Sequence, residues 1–146
     1  MELKSRRRLL RIMELAQALA GLDCEQGTLN VILTGPSAMA EMNEQFLQHE
    51  GRTDVLTFDL RGDGVFPVDG DDCVAEVYVC PDVAVEYSAK FGTTPSSELV
   101  LYIAHGMLHL AGEDDLDDVA RASMRQAERR VMDGIRERFS VEGFIS

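Results

Sequence analysis

The sequence predicts an α+β fold, and three observations carry that prediction. Short β-branched segments at 28–35, 53–60 and 74–80 are separated by segments whose apolar residues recur at helical spacing. Those helical segments are 5–20, 36–46, 81–91, 97–111 and 116–139, five in all. The stretch from Ser97 to Ala111 is apolar on nearly every face, which marks a central, buried helix. A chain of 146 residues has the length of one ordinary domain, and no linker, repeat or low-complexity tract divides it. Residues 1–146 are therefore read as one domain.

Each element follows from local chemistry. Leu9, Leu10, Ile12, Met13, Leu15, Ala16 and Leu19 form a stripe behind an arginine-rich first turn, and Gly21 ends that helix. TLNVILTG closes a strand at Gly35, and Pro36, with Ser37 close by, opens a helix through about Phe46. TDVLTFDL alternates Val55, Thr57 and Asp59 against Leu56, Phe58 and Leu60, a half-buried strand. Residues 61–72, rich in Gly, Asp and Pro, form the one long loop. VAEVYVC is the third strand, and Pro81 starts the helix that runs to about Phe91. Ser96 and Ser97 are read as the N-cap of the central helix, with Glu98 favourable at its positive end. A charged amphipathic helix and a short tail finish the chain.

Composition narrows the function classes. Apolar residues make up 45% and charged residues 27%, the balance of a soluble protein. The longest apolar run, Leu99 to Ala104, is too short to cross a bilayer, and the N-terminus lacks the apolar core of a signal peptide. The expected location is the cytoplasm, with no membrane partner. Cys24, Cys73 and Cys80 form no CxxC pair and are read as thiols in a reducing compartment. The net charge of -12 disfavours a polyanionic partner, but the charge is unevenly placed. Eleven of the 14 basic residues are Lys4, Arg6, Arg7, Arg8, Arg11, Arg121, Arg125, Arg129, Arg130, Arg136 and Arg138. This terminal clustering fits either a basic docking surface or two solvated helix faces.

The chemistry concentrates in HGMLHLAGEDD, residues 105–115. Positions four apart on a helix are about 40° apart around the axis and about 6 Å along it, so His105 and His109 can reach one ion. A third ligand on the same helix would point elsewhere. Gly112 can leave the helix with positive φ and turn the chain back, which places Asp115 to close a triad. Glu113 and Asp114 are rival third ligands. Three protein ligands with a free fourth position describe a catalytic metal site. Spacing alone equally fits two core histidines beside a charged turn. Gly106 stands where the metalloprotease motif HExxH carries its glutamate base, which argues against a peptidase of that kind.

HGMLHLAGEDD resembles the HGxLHLxGYDH signature of the YbeY family of bacterial rRNA maturation factors, metalloproteins described as endoribonucleases. MNEQFLQHEGRTDVLTF (42–58) is similar to the family's LNxxYRxKDxxTDVLSF segment, and AEVYVCPDVAVEYSAKFG (75–92) to its GDIxIxxxxAxxQAxxxG strand and helix. The resemblance covers about residues 28–135. It implies a zinc held by three histidines in a cleft, beside an arginine, and work on ribosomal RNA. Position by position, the first two ligands fall on His105 and His109 and the third on Asp115, a carboxylate able to bind zinc at about 2.0–2.2 Å. The family's Tyr-Arg pair falls on Phe46 and Leu47, so that cation is replaced; His49 and Arg52 are the nearby candidates to supply it. The tyrosine of the signature is Glu113, and the arginine-rich helix stands where an initial strand is expected. Asn43, Thr53 and Asp54 match the family; against a role at the site stands a structural reading, in which Thr53 and Asp54 hold a turn entering the strand and Asn43 caps or braces a helix.

The resemblance thus implies a small mixed sheet of three to four strands covered by about five helices, with the metal site on the central helix. It implies a zinc-dependent endoribonuclease of rRNA maturation and ribosome biogenesis, with one zinc per chain. His105, His109 and Asp115 would be both ligands and catalytic residues. rRNA or the ribosomal subunit would be the partner, with the basic terminal helices on its phosphates. The alternative is a non-catalytic ribosome-assembly factor with a structural metal, binding rRNA or a basic ribosomal protein. Leu47, the net charge and the acidic stretches at 63–72 and 113–118 favour it. A metal hydrolase of small substrates is a third reading.

Overall fold

A computed structural model describes residues 3–22, 28–42, 44–45, 55–60 and 73–145. Among these, five α-helices and three strands follow one another as α1 (Arg6–Leu19), β1 (Thr28–Leu33), α2 (Pro36–Met42), β2 (Val55–Asp59), β3 (Cys73–Val79), α3 (Pro81–Phe91), α4 (Pro95–Leu110) and α5 (Asp118–Arg136). Asn43, Phe46, Leu47, His49, Arg52, Thr53, Asp54, Cys24 and the loop 61–72 lie outside the described residues, as does the side chain of Cys73. Cys80 is a free, buried thiol. None of the described helices is long and apolar enough to cross a membrane.

The sheet is mixed, as expected, with strand order β1-β3-β2. β1 runs parallel to β3, pairing Val31 with Val77, and β2 runs antiparallel to it, pairing Thr57 with the same residue. Central β3 buries Ala75, Val77 and Val79 completely, while Glu76 and Tyr78, which point the other way, stay partly exposed. Phe58 packs edge-on against Tyr78 beyond that face, with ring centroids 5.6 Å apart.

α4 is the axis of the molecule. Its buried residues include Leu99, Val100, Tyr102, Ile103, Ala104, Gly106, Met107 and Leu108, which cover most of the helix circumference. The helix packs on β2 and β3 at one side and against α1, α3 and α5 at others. Gly106 makes the sheet contact possible. A Cβ there would stand 2.8 Å from Val77 Cγ1, 3.0 Å from Val55 Cγ2 and 3.1 Å from Thr57 Cγ2. The position that carries a base glutamate in HExxH is thus pressed onto the sheet here. There is no room for that side chain.

The cap of α4 corrects the sequence reading. The helix starts two residues earlier than expected, with Thr94 as N-cap and Pro95 in the first turn, where its missing N–H costs nothing. Thr94 Oγ1 accepts from the Ser97 N–H at 3.2 Å and the Thr94 N–H reaches Ser97 Oγ at 3.3 Å, a reciprocal capping box. Ser97 is its third residue. Ser96 does something else. Its buried hydroxyl accepts the N–H groups of Phe144 at 2.9 Å and Ile145 at 3.0 Å, and donates to the Ile145 carbonyl at 3.0 Å. The short tail is therefore packed structure, with Val141, Phe144 and Ile145 buried. Arg8 from α1 lies over the Phe144 ring, 4.5 Å from its centroid, and donates to the Glu142 carbonyl. One arginine of the first turn thus holds the tail.

Ser96→Ala is expected to orphan two buried backbone N–H groups and to lower unfolding free energy by about 2–3 kcal/mol, read by denaturant titration.

Candidate metal centre

The site forms where α4 ends. His105 and His109 lie one turn apart and about 60–100° around the helix from Gly106, so the sheet contact turns both imidazoles away from the strands. Their rings meet nearly at right angles, 83°, with centroids 4.5 Å apart, and the two Nε2 atoms are 3.0 Å from each other.

Gly112 then reverses the chain at φ +110°, where a side chain would be strained. The Gly112 N–H bonds the His109 carbonyl at 3.1 Å and the Glu113 N–H bonds the Leu108 carbonyl at 2.9 Å, the paired bonds of a Schellman motif. The turn brings Asp115 Oδ2 to 3.8 Å from both histidine Nε2 atoms. His105, His109 and Asp115 are the one group of described residues whose possible ligand atoms cluster this way.

The neighbouring acids are engaged elsewhere. Asp114 Oδ1 accepts the Leu116 N–H at 3.2 Å, Glu113 Oε2 accepts from Ser123 Oγ at 3.2 Å, and Asp117 Oδ1 caps α5 through the Ala120 N–H at 2.7 Å. Asp118 pairs with Arg121. Of the rival third ligands, geometry favours Asp115.

The triangle of 3.0, 3.8 and 3.8 Å has a centre about 2.1 Å from every corner, the length of a zinc–nitrogen or zinc–carboxylate bond. Ligand atoms of a tetrahedral ion at that distance stand about 3.4 Å apart, which the observed sides bracket. The donor set of two imidazoles and a carboxylate suits a borderline-soft divalent cation. The side chains of His105, His109 and Asp115 are 20%, 27% and 43% exposed, so the site opens towards the aspartate.

A fourth residue escaped sequence reasoning. Glu128 of α5 has Oε1 2.6 Å from His105 Nδ1. A carboxylate can only accept here, so Nδ1 carries the proton and the Nε2 lone pair is turned to the ligand triangle. The sequence held a signal for it. Glu128 sits midway between Met124 and Met132 at intervals of four, an acid inside the stripe that α5 buries. Beside His105 and Asp115 opens a cavity of about 190 Å³, to which Arg121 and Arg125 contribute side chains. Cationic groups beside the triad thus come from α5.

The model of the family described as endoribonuclease YbeY matches residues 2–136. This chain belongs to the YbeY family. It is 34% identical over 110 residues to the endoribonuclease YbeY of Salinibacter ruber, covering 73% of this chain and 69% of that one. With the endoribonuclease YbeY of Elusimicrobium minutum it shares 32% identity over 117 residues, covering 79% of each. A solution structure of a Thermotoga maritima protein matches with a TM-score of 0.58 at 29% identity, covering 90% of this chain and 83% of that one. The likeness thus extends well beyond the histidine motif.

Glu128→Ala is expected to weaken divalent-metal binding about 10–100-fold by freeing the His105 ring, measured by competition with a chromophoric chelator.

Proposed function

We propose that this chain is a zinc-dependent endoribonuclease of rRNA maturation and ribosome biogenesis, working in the cytoplasm on rRNA or the ribosomal subunit. The supporting observation is the convergence of His105, His109 and Asp115 on one point at zinc-binding distance, in a chain of the YbeY family. The three residues would hold one zinc and leave one face of it to the substrate. Such an ion, when bound, supplies Lewis acidity to a phosphoryl oxygen and to a water molecule.

The chain's own groups set the conditions for that chemistry. Glu128 fixes the ring orientation and tautomer of His105 through the 2.6 Å bond. Asp115 replaces a neutral third imidazole by a carboxylate, so the site carries one positive charge fewer, which makes an associated water less acidic. Arg121 and Arg125 border the cavity and offset the added negative charge on a bound phosphodiester.

A second reading is a non-catalytic assembly factor, binding rRNA or a basic ribosomal protein with the metal used for folding. The net charge of -12 and Leu47 in place of the family's arginine favour it. Turnover separates the two.

Freshly purified protein is expected to contain close to one zinc per chain, and Asp115→Ala markedly less, by elemental mass spectrometry. Multiple cuts of rRNA per chain, abolished by chelation and by His109→Ala, are the outcome of the enzymatic reading. A stoichiometric complex without cleavage would establish the assembly factor instead.

A further inference from the structure

α5 carries arginines at 121, 125, 129, 130 and 136, and all but Arg130 line cavities between α5 and α4. The cavity beside the ligand triangle shares Leu101, Arg125 and Glu128 with a second one of about 250 Å³, so the two adjoin along the α4–α5 seam. The second cavity continues past Arg129 to Arg136.

The charges in this groove are unequally used. Arg121 is tied to Asp118, and its Nη1 lies 3.4 Å from the Asp115 carbonyl. Arg125, Arg129 and Arg136 have no ion pair or hydrogen bond among the described residues. The acids that line the same groove are largely committed. Glu98 is 7% exposed and accepts from Thr93 Oγ1 at 2.7 Å, while Glu128 holds His105. Asp133 and the half-exposed ligand candidate Asp115 are the remaining acids among the lining residues. Among the described residues these three exposed guanidinium groups stand unpaired along one groove, in a protein with 26 acidic side chains, which leaves them available to an anion from outside.

Their spacing gives the shape of that anion. Arg125 and Arg129 are about 6 Å apart along the axis, and Arg125 and Arg136 about 16 Å, the span of roughly five stacked nucleotides at ~3.4 Å each. A single row of arginines tracks the backbone of one strand.

We propose that Arg125, Arg129 and Arg136 form a phosphate-binding track for a single RNA strand. It runs along the α4–α5 seam and presents one phosphodiester to His105, His109 and Asp115. The choice of RNA rests on the endoribonuclease reading, but binding by the track requires no cut. The arginines act as positioning residues. α1 is no part of the track, although its first turn is equally basic.

The test is fluorescence anisotropy of a labelled single-stranded oligouridylate of about twelve nucleotides with the chelator-treated full chain, between ~50 and ~200 mM salt. The triple variant Arg125→Ala, Arg129→Ala, Arg136→Ala is expected to bind at least tenfold more weakly. Its log–log salt slope should shrink by about 2, three phosphates at ~0.7 each. Lysine at the same three positions should keep the wild-type slope. The variant Arg6→Ala, Arg7→Ala, Arg11→Ala removes the same charge from α1 and should bind like wild type. Equal losses in the α1 and α5 variants, no loss in the α5 variant, tighter binding of a duplex, or no binding by wild type would each overturn the track. Wild-type binding that the α5 variant loses, with no cleavage after zinc is restored, would uphold the track while the endoribonuclease reading fails.

Discussion

The contact between Gly106 and β2 and β3 governs everything at the functional end of this molecule. α4 lies so close to the sheet that a single methyl group would collide with Val77 and crowd Val55 and Thr57. A helix seated this tightly has one rotational setting, because turning it would drive a larger neighbour into the strands. That setting directs His105 and His109 towards the α5 side. The histidines' orientation is thus a by-product of packing, and the third member of the triangle lies beyond the helix.

Asp115 owes its place to backbone geometry. The Schellman bonds at Gly112 and Glu113 set the exit path from α4, and the Asp117 cap sets the entry to α5. Between two such anchors few conformations remain. Each cap contributes on the order of 1 kcal/mol, and their larger effect is to remove alternatives for the chain between them. The same economy explains the acid cluster at 113–118. One carboxylate faces the histidines, and four others serve a turn, a serine, a helix cap and an arginine.

The electrostatic layout reconciles a net charge of -12 with a polyanionic partner. Uniform negative charge would repel RNA at every approach. Gathering arginines that are unpaired among the described residues along one seam creates a local exception, solvent-exposed and therefore sensitive to salt. The α1 arginines illustrate why counting basic residues is insufficient. Arg8 is spent on Phe144 and Glu142, where it holds the C-terminal tail against the body.

Much of this was legible in the sequence, wherever a property depends on residues close together in the chain. Helical spacing placed His105 and His109 on one face, and Gly112, a residue that adopts positive φ without strain, marked the turn to Asp115. The apolar surround of 97–111 identified the central helix, and Pro81 marked the start of α3 at the residue where it begins. Tertiary structure decided the rest, because those features join residues distant in sequence. Glu128 reaches His105 across 23 positions, and Ser96 reaches the tail across nearly 50. No local pattern distinguishes a serine that caps a helix from one that clamps a distant backbone. Among five nearby acids, spacing left the third ligand open and only folded distances favoured one. Whether an arginine is solvated, stacked or aimed into a groove depends on what packs beside it, and the chain acquires that property only on folding.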